Sequence, residues 1–115
     1  MGVLPAQDFV ITPGLIDLHA HVYDGMNLHS ISPADIGLKT GVTTILDTGS
    51  AGAMNFGTFA KYVIPAAQEN IFALLNISHF GVQGCPGVLP EIYDLHDADH
   101  FNVEEALRCC REYSR

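Results

Sequence analysis

The stretch that decides how this 115-residue chain folds is Thr12-Pro13-Gly14-Leu15-Ile16-Asp17-Leu18-His19-Ala20-His21. A Pro-Gly turn releases an apolar run, Leu15-Ile16-Asp17-Leu18, that reads as a buried β-strand. Side chains alternate faces along a strand, so His19 and His21 are expected on one side at its C-terminal end. Two imidazoles side by side can chelate one divalent ion through their Nε2 atoms. Asp17, one step deeper on the same face, is a candidate acceptor that orients a ligand histidine. A bare His-x-His pair more often marks two hydrogen-bonded loop histidines. Turn, apolar run and Asp-x-His-x-His together favour metal ligation.

Working outward, Phe9-Val10-Ile11 is a short apolar run upstream of the turn. Downstream, a polar loop over 23–31 leads to Ser32-Pro33, which reads as an N-cap followed by proline at the first helical position. Gly41 stops that helix. Val42-Thr43-Thr44-Ile45-Leu46 is β-branched and apolar, a second strand. Asp47-Thr48-Gly49-Ser50-Ala51-Gly52 reads as a turn-forming loop. Asn55 is placed to cap a helix over 56–64 that Pro65 interrupts. Ile71-Phe72-Ala73-Leu74-Leu75-Asn76-Ile77 is a third strand, and 78–101 reads as a long loop. Asn102, with Glu105 three residues on, predicts a capped last helix whose apolar stripe is Val103, Ala106, Leu107 and Cys110.

The order β-α-β-α-β-loop-α predicts an α/β chain with parallel strands. Three strands cannot close a barrel, and a complete (β/α)8 barrel takes roughly 250 residues. The order therefore implies an open-ended piece of a larger parallel α/β structure.

Composition narrows the partners. Hydrophobic residues make up 48% and charged residues 16% of the chain, a core-forming balance. The net charge of −8 argues against nucleic acid and against an anionic membrane surface. No apolar segment reaches the ~18 residues of a membrane span, and the N-terminus lacks the basic start of a secretory signal. Gly2 does not make a myristoylation site, because position 6 is Ala. The three cysteines, Cys85, Cys109 and Cys110, follow no disulfide or zinc spacing. They point to a reducing, cytoplasmic setting with structural rather than reactive thiols.

The Asp-x-His-x-His string resembles the first-strand signature of the amidohydrolase superfamily. Gly41-Val42-Thr43-Thr44-Ile45-Leu46-Asp47 is similar to that family's second strand. The runs Asp47 to Gly52, Asn55-Phe56 and Leu74-Leu75-Asn76-Ile77-Ser78 resemble a narrower branch of dihydroorotase-like deacetylases acting on N-acetyl or O-acetyl substrates. The resemblance covers residues 9–107. It implies one or two divalent ions, usually zinc, that activate water to attack an amide or ester carbonyl of a small-molecule substrate. It implies further ligands after later strands: a carboxylated lysine or glutamate, two histidines and an aspartate. None of these is assignable here, and the catalytic acid/base residue is expected beyond Arg115. Lys39 and Lys61, the only lysines, flank the second strand and read as solvated charges. The resemblance further implies the fold, a partial (β/α)8 TIM barrel of its first three βα units, with 1–14 as the entry turn and a remnant of the family's N-terminal β-sandwich and 15–115 as the first part of the barrel. A homo-oligomer is one expectation for the full-length protein. With its parallel sheet unclosed, the 115-residue chain alone is expected to be inactive and prone to association.

Weaker candidates remain. His79 follows the third strand and is placed to contact substrate, as is His29 in the first loop. Asp47 and Ser50, at the end of the second strand, are placed to bind substrate, to hydrogen-bond the metal ligands, or simply to cap a turn. The cluster Asp94-Leu95-His96-Asp97-Ala98-Asp99-His100 looks metal-like in isolation but reads better as a helix-capping loop. Two other readings compete with the enzyme fragment: a non-catalytic truncated product, and a small metal-binding or interaction module built on His96 and His100.

Overall fold

The computed structural model describes residues 2–3, 5–82 and 101–114. Cys85, Arg115 and the cluster over 94–100, including His96 and His100, lie outside the described residues.

Three strands, β1 (Leu15–Ala20), β2 (Val42–Gly52) and β3 (Asn70–Asn76), run parallel in that order in one open sheet. The connections carry short helical pieces, α1 (Pro33–Ile36) after β1 and α2 (Phe56–Thr58) after β2, and α3 (Val103–Tyr113) follows the third strand. This is the βα alternation that starts a TIM barrel. Among the described residues, both outer strands keep an unpaired edge.

The core lies on one side of the sheet. Val22, Ile45 and Phe59 are fully buried there, with Tyr23 stacked on Phe59 at 4.7 Å between ring centroids. Phe56 meets Phe59 edge-on at 6.1 Å. Along β3, Ile71, Ala73 and Leu75 pack against this cluster. The alternate residues Phe72 and Leu74 stay 63% and 54% exposed. The period of two shows a sheet with one covered face and one bare face. A parallel sheet is normally buried on both faces, so the bare apolar side is what an unclosed barrel leaves.

The local elements depart from the sequence reading in several places. β2 does not end at Leu46 but continues through Gly52, all of residues 49–52 being buried. The turn-forming residues are held in the strand by pairing of Asp47 with Ala73, Thr48 with Leu74 and Gly52 with Asn76, with an irregularity between Thr48 and Gly52. Gly52 is required at that approach, since a Cβ there would overlap the Ser78 carbonyl. The first helix is broken: α1 ends at Gly37, and a 3-10 turn over Leu38–Thr40 follows. Glu69 creates the break, its Oε1 accepting the Leu38 backbone N–H at 2.9 Å. Gly41 ends the turn in the left-handed region at φ 86°, as its position predicted.

Asn55 does not cap α2. Its Oδ1 accepts from the Gly52 backbone and its Nδ2 donates to the Phe80 carbonyl, both at 2.9 Å, so it ties β2's end to the chain after β3. The helical stretch after it widens into a π-turn over Phe59–Val63 and tightens to 3-10 at Pro65. On α3, Asn102 caps as expected, its Oδ1 accepting the Glu105 N–H at 3.0 Å. The helix buries Ala106 and Cys109, whereas Val103, Leu107 and Cys110 are exposed. Phe56 and Tyr113, ring centroids 5.1 Å apart, set that rotation. Phe9, Val10 and Ile11 form no strand and are 75%, 90% and 82% exposed.

Candidate metal centre

β1 delivers His19, and the residue just past its end is His21. The two rings converge, 5.7 Å apart between centroids and edge to face at 84°. Two imidazoles sharing one tetrahedral zinc, with Zn–N of about 2.0–2.1 Å, have centroids roughly 5 Å apart. The observed separation is of that order. His19 is exposed and His21 half-buried, so the pair opens to solvent at the C-terminal end of the sheet.

The surroundings of His21 are built from β2. Ser50 Oγ lies 3.0 Å from His21 Nδ1. Asp47 is fully buried, and each carboxylate oxygen takes one backbone N–H at 2.8 Å: Oδ1 that of Ser50, Oδ2 that of Val22. Asp47 therefore has no face to offer a substrate. It joins the residue after His21 to the residue that touches the His21 ring. Of the three roles open to this pair, Asp47 Oδ1 caps the Ser50 N–H and Ser50 Oγ contacts the His21 ring. The spacing of Asp47 to Ser50 carries the signal, because Asp side chains accept N–H groups two or three residues on.

Asp17 is not bonded to an imidazole. Its Oδ1 accepts the His19 backbone N–H at 3.0 Å, an intrastrand closure that a short carboxylate reaches more easily than the ring beyond it. β1 and β2 slip in register between Asp17 and Ala20, so Asp17 supports the His19 backbone. The acid/base residue expected beyond Arg115 lies outside the described residues. Asp47, with both oxygens taken by backbone N–H groups, does not stand in for it.

His79 sits just past β3, half-buried, with a buried Nδ1 that has no hydrogen-bond partner among the described residues. It is not brought together with His19 and His21: among the described residues no three His, Cys, Asp or Glu side chains gather as a metal site. His29 is exposed in the first loop, its backbone N–H bonded to Asn27 Oδ1. Lys39 pairs with Asp35 at 2.7 Å in solvent, and Lys61 lies over the Tyr62 ring at 5.1 Å. Both lysines are surface charges, as read from the sequence.

Tyr23 was missed by sequence reasoning. Its hydroxyl donates to the Asn55 carbonyl at 3.0 Å, and burial pushes its phenol up, so it braces the loop rather than exchanging protons near neutral pH. Burial likewise pushes the Cys109 thiol up. No helix among the described residues is long and apolar enough to cross a membrane.

No family model matches the chain. A deacetylase of Agrobacterium fabrum is 40% identical over 111 residues, covering 96% of this chain and 26% of that protein. A deacetylase of Brucella anthropi is 41% identical over 99 residues, covering 86% of this chain and 24% of that protein. Among solved structures, a dihydroorotase superposes with a TM-score of 0.79 at 37% identity, covering 89% of this chain and 26% of that one. An adenine deaminase gives 0.75 at 32% identity, covering 87% and 25%. The chain thus spans about a quarter of the length of the relatives it matches. In sequence and in fold, it corresponds to part of an amidohydrolase-superfamily barrel.

Proposed function

We propose that this chain is the cation-gripping part of a metal-dependent hydrolase that removes acetyl groups from small N-acetyl or O-acetyl substrates. The observation that carries the reading is the convergence of His19 and His21 at the end of β1, with Ser50 beside the inner ring. The similarity to deacetylases supports the substrate class, and the two structural neighbours keep cyclic amides and amidines as the second class. Zinc is the proposed ion, one or two per complete site, because paired imidazoles suit it. When bound, such an ion lowers the pKa of its water to about 7 and supplies a hydroxide nucleophile.

What this chain itself contributes is placement. His19 and His21 present two neutral nitrogens from a strand end. Asp47 and Asn55 keep the neighbouring strand ends from drifting. The acid/base carboxylate and the remaining ligands belong to barrel strands beyond β3, so residues 15–115 without them are proposed to be inactive. Residues 1–14 are proposed to lead in from a small sandwich, which fits the bare Phe9-Val10-Ile11 run. The unpaired Cys109 and Cys110 suit a reducing cytoplasmic setting.

The test is acetate release from a panel of N-acetyl and O-acetyl small molecules by the protein carrying its complete barrel. The expected result is hydrolysis that a chelator abolishes and added zinc restores. Hydrolysis unaffected by exhaustive chelation, or none on any acetylated or cyclic amide substrate after zinc loading, would overturn the proposal.

A further inference from the structure

We infer that Ser50 is a positioning residue that holds the His21 ring with Nε2 turned to the cation, an inference that rests on the cation-binding reading above. Four contacts carry it. The ring nitrogen Nδ1 meets Ser50 Oγ at 3.0 Å. The Ser50 backbone N–H is fixed by Asp47 Oδ1 at 2.8 Å, and the Val22 N–H, one residue past His21, by Asp47 Oδ2 at 2.8 Å. Parallel pairing of Ala20 with Asp47 closes the circuit. Ser50 and Asp47 are both fully buried, so water does not compete for the two Asp47 bonds, while the His21 ring itself is half-buried. A ring tethered at both its backbone and its Nδ1 has one nitrogen left for a ligand, Nε2.

The residue type matters. A hydroxyl both donates and accepts, so Ser50 can meet the neutral imidazole in either tautomer. With a cation on Nε2, the proton sits on Nδ1 and donates to Oγ. A carboxylate or carbonyl in that place would accept only. An alanine would leave Nδ1 facing a buried gap. His19 has no equivalent tether among the described residues: its backbone N–H goes to Asp17, and its ring is exposed.

The experiment compares the complete-barrel protein with its Ser50→Ala variant, and with Ser30→Ala as a control in the first loop. Zn2+ affinity is measured by competition with a chromophoric chelator, and the His21 tautomer by 15N NMR on histidine-labelled protein. Partners of ligand histidines contribute about 10–100-fold in metal affinity, so Ser50→Ala is expected to weaken Zn2+ binding by that factor. Ser30→Ala is expected to match the unaltered protein. In the unaltered zinc-loaded protein, Nδ1 of His21 is expected to carry the proton. Zinc binding by Ser50→Ala within twofold of the unaltered protein would overturn the inference while leaving the cation site standing. Should Ser50→Ala fail to fold, the unaltered protein still decides: an Nδ1-bound ion at His21 would overturn it. Absence of Zn2+ binding by the unaltered protein would instead sink the underlying reading.

Discussion

Replacing His19 and His21 together by alanine is expected to abolish stoichiometric zinc and acetate release while leaving the fold intact. Both rings sit at the open end of the sheet, His19 exposed and His21 half-buried, and neither belongs to the apolar core. Their removal therefore costs little packing. Losing a mere hydrogen-bond partner of a ligand costs about 10–100-fold in affinity, so losing two ligands should exceed that in each step. Metal analysis of the purified variant, with a thermal melt beside it, checks both halves. A double variant that keeps one zinc per chain, or that unfolds, would contradict this placement.

Asp47→Ala is expected to give the largest loss of stability among single changes near the site. The carboxylate is fully buried and satisfies two buried backbone N–H groups, those of Val22 and Ser50. A buried donor left without an acceptor costs about 1–3 kcal/mol, so the pair amounts to roughly 2–6 kcal/mol, a large part of the ~5–15 kcal/mol that holds a typical domain together. Asp47→Asn keeps the shape but turns an amine toward one of the donors, so about half that loss is expected. Asp35→Ala removes an exposed pair with Lys39 and should cost at most about 1 kcal/mol. Urea unfolding of the three variants checks the order. Asp47→Ala within about 1 kcal/mol of the unaltered protein would show that the two strand ends are held by something else.

Much of this was legible in the sequence because it rests on local rules. Apolar runs marked all three strands, the second also β-branched, and Gly41 and Asn102 punctuated the helices through backbone geometry and capping. What the sequence hid depends on partners far along the chain. Asp47-Thr48-Gly49-Ser50-Ala51-Gly52 has turn chemistry, yet pairing with β3 and the buried Asp47 carboxylate keep it in the sheet. Asn55 has cap chemistry, yet Gly52 and Phe80 claim its amide. Asp17 was expected at an imidazole and is taken by the nearer backbone N–H. The stripe on α3 was rotated because helical spacing gives a face but not the neighbour, here Phe56 against Tyr113. At the site, the shared side of His19 and His21 was readable from the period of two once the Pro-Gly turn and apolar run had marked the strand. Ser50 at Nδ1 of His21 needed the register of β1 on β2.

The most direct test is X-ray absorption at the zinc edge on the zinc-loaded protein and on its His19→Ala/His21→Ala variant. The account predicts imidazole nitrogens at about 2.0–2.1 Å from the ion, with the imidazole scattering reduced or the metal gone in the variant. An identical spectrum from the variant at full zinc occupancy, or an unaltered site with no imidazole scattering, would contradict it.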